Sequence, residues 1–142
     1  MTPAPVKTAQ QRGRMSRTKG QAGEREVAHL LLGLTGLDVR RRVRQHEGDS
    51  DIEYPGWAVE CKRYASVTHA ALAVWWRQAC VQAHKANLRP VLFFRGDRCE
   101  WQAVWHAGHH CKDIPWHMNG DMRDTLTASP ETWWRMTRYT TP

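Results

Sequence analysis

A chain of 142 residues, 41% of them hydrophobic and 25% charged, has material for one domain around one core, which excludes a multi-domain assembly. Its 21 Lys and Arg against 14 Asp and Glu leave a formal charge of +7, which points to a polyanionic partner, nucleic acid before an acidic membrane surface. The longest apolar run, Leu30 to Leu37, is broken by Gly33 and Gly36 and falls far short of the ~20 residues that span a bilayer, so no membrane association is expected.

Residues 1 to 18 carry Pro3, Pro5, Lys7, Arg12, Arg14 and Arg17 with no acid, and read as a disordered basic arm ahead of a single domain over 19–142. From Lys19 a helix is expected, because Val27, Leu30, Leu31 and Leu34 follow the i, i+3, i+4, i+7 spacing, with Gly33 or Gly36 to close it. Glu24 falls on the inward side of that helix, where a carboxylate needs a partner. Leu37, Val39 and Val43 then outline a strand whose remaining residues, Arg40, Arg41, Arg42 and Arg44, make a basic stripe.

The segment GDSDIEYPGWAVECKR, Gly48 to Arg63, predicts two strands joined by Pro55-Gly56, which suits the central positions of a type II turn. Side chains two apart on a strand share a face, so Glu60 and Lys62 project together while Val59 and Cys61 turn to a core. A long helix is expected from Thr68 to Leu88, with Ala71, Val74, Trp75 and Val81 as its apolar stripe and Gln78 set in the middle of it. PVLFFR and CEWQAVWH read as strands around a Gly96-Asp97-Arg98 turn, TLTA as a short strand, and Ser129-Pro130 as the start of a terminal helix. The order helix, three strands, helix, two strands, helix implies one mixed sheet of about five strands flanked by helices.

Across the Pro-Gly hairpin, Asp51 can bring its carboxylate towards that of Glu60. Two converging carboxylates repel unless a cation sits between them, and hard oxygen donors suit Mg²⁺ or Mn²⁺, ions that keep waters and accept phosphate oxygens. Lys62 beside them can orient a water and offset charge developing on a phosphate, which together describes a phosphodiester-hydrolysing site.

Glu24, Asp51, Glu60-Cys61-Lys62 and Gln78 in this order resemble the PD-(D/E)XK nuclease superfamily. The opening K-G-x-x-x-E-R-E, Lys19 to Glu26, is most similar to archaeal-type Holliday junction resolvases and their phage-encoded relatives. The resemblance covers about residues 19 to 105, leaving residues 106 to 142 as a Trp- and His-rich extension, and it departs from the usual motif in having Ser50 rather than Pro before Asp51. It implies a restriction-endonuclease-like α/β core, Mg²⁺-dependent cleavage of branched DNA leaving a 5′-phosphate, and a homodimer working in a host cytoplasm. It also implies Asp51, Glu60, the Cys61 carbonyl and Glu24 around the metal, Lys62 as catalytic lysine, and Gln78 in support.

Lys19, Arg25, Arg40, Arg41, Arg42, Arg44 and Arg63, joined by Arg95 and Arg98, are candidate phosphate contacts. Cys61, Cys80, Cys99 and Cys111 are far apart with no C-x-x-C pair, so free thiols are expected. Among eight tryptophans, the pairs Trp75-Trp76 and Trp133-Trp134 on helices should each split between core and rim. His106, His109, His110, Cys111 and His117 match no zinc-ligand spacing, and loop histidines touching phosphate or solvent are expected rather than structural Zn²⁺.

Overall fold

A computed structural model describes residues 2–37 and 51–140. The strand expected from Leu37 onward, with Arg40, Arg41, Arg42 and Arg44, lies outside the described residues apart from Leu37 itself.

The first helix, α1 (Ala9–Thr35), begins ten residues before Lys19, so most of the segment expected as a disordered arm is helical. Thr8 and Gln11 form a reciprocal capping box, the Thr8 hydroxyl accepting from the Gln11 N–H while the Thr8 N–H donates to the Gln11 side chain, and this satisfies helix-end donors that charge composition does not report. The helix ends at Gly36 in the left-handed conformation, φ 76°.

Strands β1 (Ile52–Tyr54) and β2 (Trp57–Tyr64) pair antiparallel across the turn, where Gly56 takes φ 84° as a type II turn requires. Helix α2 (His69–Ala86), capped by Thr68, carries the chain over the sheet so that β3 (Arg89–Gly96) lies parallel to β2. Strand β4 (Gln102–His106) returns antiparallel, a long excursion follows, and β5 (Thr125–Ala128) closes the sheet before α3 (Pro130–Thr137), capped by Ser129. The described strands form one mixed sheet ordered β1-β2-β3-β4-β5.

Alternation along the strands divides the core into two layers. Val59, Val91, Phe93, Trp105 and Trp57 face Val27 and Leu31 of α1 and Trp133 of α3. Leu92 and Val104 face the opposite way, against Trp75, Trp76, Ala79 and Cys80 of α2. Helix α2 is therefore rotated from the expected stripe: Val74, Gln78 and Val81 are exposed, while Trp76, Ala79, Cys80 and Ala83 are buried at the same i, i+3, i+4, i+7 spacing. The sequence holds both stripes, and the one of small residues around Trp76 lets the helix lie close to the sheet.

Both members of the first tryptophan pair are buried, contrary to the expected split. Trp75 stacks on Tyr64 with ring centroids 4.9 Å apart, and the Trp76 indole N–H donates to the Asp121 carbonyl at 2.9 Å, so each side of α2 has something to cover. Trp133 is fully buried and Trp134 half-buried, as expected. Of the histidines expected to touch phosphate or solvent, His106 ends β4 and is buried, while His109, His110 and His117 are part-buried, the His109 ring lying 5.1 Å from Trp57 and 4.1 Å from Trp116.

Two outcomes follow for stability. Leu31→Ala, at a position with no solvent exposure, lowers the unfolding free energy by about 2–5 kcal/mol in a denaturant titration. Burial, helped by Arg89, lowers the His109 pKa from 6.5 to about 3. The unfolded chain therefore binds a proton that the folded chain refuses between those values, so His109 contributes stability in full above pH 6.5 and loses it progressively as pH falls towards 3. Unfolding midpoints measured from pH 7 to pH 4 decline, and His109→Asn flattens that decline.

Candidate active site

The site grows from a mismatch in strand length. Strand β1 has three residues and β2 has eight, with Ile52 opposite Val59. Continuing that register by one residue sets Asp51 opposite Glu60, on the same face. Among the described residues β1 offers β2 no backbone partner beyond this point, and the Cys61 N–H donates instead to Asp51 Oδ2 at 2.8 Å.

Asp51 and Glu60 are both 2% exposed, and the Lys62 ammonium reaches in from one pleat further along, 3.2 Å from Glu60 Oε1. Glu24 arrives from α1, which crosses β2 closely because Gly23 has no side chain: a Cβ there would lie 3.2 Å from the Arg63 Cβ. The convergence is registered at one atom. Burial pushes the Cys61 thiol pKa well above its ordinary value, the negative charges of Asp51, Glu60 and Glu24 push it further in the same direction, and Lys62 partly opposes them.

Three carboxylates and an ammonium thus act on a single position in the sheet. A carboxylate has about four lone-pair sites, so the bond from Cys61 fixes the Asp51 orientation without exhausting its capacity to coordinate. Asp51 and Glu60, buried and opposite each other in the register, with the half-buried Glu24 near the same strand, supply hard oxygen donors of the kind Mg²⁺ or Mn²⁺ accepts, and the residues present fit such an ion.

Other expected site residues are placed differently. Gln78 is exposed on α2, so it is not a polar residue set into a core stripe. Arg63 is engaged internally: it and Arg95, which share a register position on the parallel strands β2 and β3, both contact Glu26 Oε1 of α1, at 3.5 and 3.2 Å. Arg25 is exposed, and the side chain of Lys19 and all of Arg40, Arg41, Arg42 and Arg44 lie outside the described residues. Glu26 was not singled out by the sequence. It is the last residue of K-G-x-x-x-E-R-E, and the signal that explains it, two arginines paired across parallel strands, exists only once the register is known.

A protein-family model described as "Phage putative PDDEXK endonuclease" matches residues 15–129. The chain belongs to this phage PD-(D/E)XK endonuclease family. The family match contains Glu24, Asp51, Glu60 and Lys62 and runs past residue 105 to the end of β5, so the excursion after β4 is part of the phage endonuclease unit rather than an addition to it. Protein D14 of Escherichia phage T5 is 27% identical to this PD-(D/E)XK endonuclease over 108 residues, covering 61% of this chain and 68% of that protein. No solved structure matches.

Two substitutions at one position separate charge from hydrogen bonding. Asp51→Ala removes the acceptor of the Cys61 N–H and destabilises the protein by about 1–3 kcal/mol. Asp51→Asn keeps an acceptor oxygen and removes one of three converging negative charges, so its unfolding midpoint in chelator equals or exceeds that of the parent.

Proposed function

We propose that this phage PD-(D/E)XK endonuclease is a divalent-metal-dependent, structure-selective DNA endonuclease that hydrolyses phosphodiesters at Holliday junctions or related branched DNA and leaves a 5′-phosphate. The observation that carries the reading is the placement of Asp51 against the Cys61 N–H, opposite Glu60, with Lys62 held 3.2 Å from that glutamate. Mg²⁺ or Mn²⁺ held by Asp51, Glu60 and the Cys61 carbonyl, with Glu24 through water, would supply an acidified water and charge neutralisation at the scissile phosphate.

The remaining roles belong to the chain. The Cys61 N–H fixes the orientation of Asp51, and Glu60 holds the Lys62 ammonium where it can orient a water and offset negative charge as the phosphate becomes pentacoordinate. The surplus of +7 favours sequence-independent phosphate contacts, which suit recognition of a bent or branched duplex by shape. A homodimer is the arrangement that presents two such centres to a two-fold symmetric junction.

The test is cleavage of four-way junction, flap, single-stranded and linear duplex DNA with Mg²⁺ or with EDTA. Paired, symmetric nicks on the junction are expected with Mg²⁺ alone, and Glu60→Gln and Lys62→Ala each reduce the rate by about 10²-fold or more. Degradation of duplex from its ends overturns the junction substrate, and a gel shift with no cleavage under any divalent ion makes the chain a binding module instead. Affinity falls steeply as salt is raised from 50 to 200 mM, by about 10³-fold or more if six phosphates are contacted.

A further inference from the structure

We propose that His106, His117 and Asp124 form a second metal site, built from residues other than the carboxylate centre, which takes Zn²⁺ or a similar borderline divalent ion and ties together the excursion between β4 and β5. This inference does not depend on the nuclease reading.

The three residues come from the end of β4, the middle of the excursion and the residue before β5, and each offers a ligand atom within 4.8 Å of the others. Ligand atoms on a tetrahedral zinc stand roughly 3.5 Å apart, so the group closes onto an ion by side-chain adjustment alone. Part of that closure already exists: His117 Nε2 lies 3.5 Å from Asp124 Oδ2, and the His106 and His117 rings are 4.4 Å apart.

What marks the cluster as more than packing is the state of its nitrogens. His106 is 99% buried, at 1% exposure, yet its Nε2 has no hydrogen-bond partner, and neither ring nitrogen of His117 makes a hydrogen bond. Buried polar groups are ordinarily satisfied, and several orphaned imidazole nitrogens facing one carboxylate describe a set of ligands. By contrast His110 is engaged, its Nε2 accepting from the Trp105 indole N–H at 3.0 Å, and it stands outside the group. Asp124 is held at φ 61°, a left-handed conformation that Asp tolerates better than most residues, at the point where its carboxylate meets His117.

One proton has to move. His106 Nδ1 now accepts from the Gly108 N–H at 2.9 Å, which places the ring proton on Nε2. An ion at Nε2 needs that proton on Nδ1 and an acceptor for it. Gly108 keeps the space beside that nitrogen open: a Cβ there would lie 2.8 Å from His106 Nδ1 and 2.9 Å from the Ile114 carbonyl oxygen. Ion entry therefore moves the ring proton from Nε2 to Nδ1 at the cost of the Gly108 contact, with no net change in bound protons.

Two imidazoles and one carboxylate favour zinc-like ions over Mg²⁺, with water in the fourth position. The spacing 106, 117, 124 belongs to no familiar zinc pattern, which is why the sequence alone argues against the site.

The test uses the full chain stripped of metal, with one equivalent of Zn²⁺ in the presence of excess Mg²⁺ and a chromophoric zinc chelator as competitor. The parent is expected to retain one zinc per chain through gel filtration and to unfold at a higher temperature when loaded. His117→Ala and Asp124→Asn each weaken retention by at least about 10-fold and abolish the thermal shift, whereas Asp51→Asn retains both. Asn tolerates the left-handed backbone at position 124, and circular dichroism without zinc verifies the fold of each variant. Failure of the parent to retain zinc, retention that survives either substitution in the cluster, or loss of retention in Asp51→Asn overturns the proposal.

Discussion

The hydrogen bond from the Cys61 N–H to Asp51 Oδ2 is the contact on which the rest of this molecule turns. A strand edge that outruns its neighbour exposes backbone donors, and a buried one left unmet is costly. Here the donor is met by an acid rather than by more backbone. The same carboxylate that meets the Cys61 N–H belongs to the residue opposite Glu60 in the hairpin, so stability of the edge and geometry of the site are linked.

What could be read from the sequence was what depends on near neighbours. The Pro55-Gly56 turn, the two-residue alternation that separates Glu60 and Lys62 from Val59 and Cys61, the capped helices after Thr68 and Ser129, and the short TLTA strand are all local rules, and the fold obeys them. What could not be read depended on competition or on distance. Helix α2 contains two stripes of identical spacing, and only the sheet beneath selects the one through Trp76 and Ala79, which moved Gln78 to the surface. The early start of α1 rests on a capping box between uncharged residues, hidden inside a segment whose charge reads as an arm.

Glu26 shows the same limit from another side. Arg63 and Arg95 lie more than thirty residues apart in sequence, and only parallel pairing of β2 with β3 makes them neighbours. Two guanidinium groups side by side repel, and α1 supplies one carboxylate to both. That ion pair anchors the helix carrying Glu24 to the two central strands, which relates the electrostatics of the sheet to the position of an acid at the site. It leaves the trio with a surplus of one positive charge.

The hairpin between Asp51 and Glu60 has a consequence for how this protein can vary over evolutionary time. Asp51 stands four residues before the turn dipeptide and Glu60 four after it, so neither has slack to absorb a change in length. Adding or deleting one residue on either arm would flip the pleat and turn one acid to the opposite face of the sheet. Substitution leaves that register intact, whereas a change of length does not. The excursion between β4 and β5 has no such pleat to keep, and a change of its length would leave the two acids of the hairpin where they are.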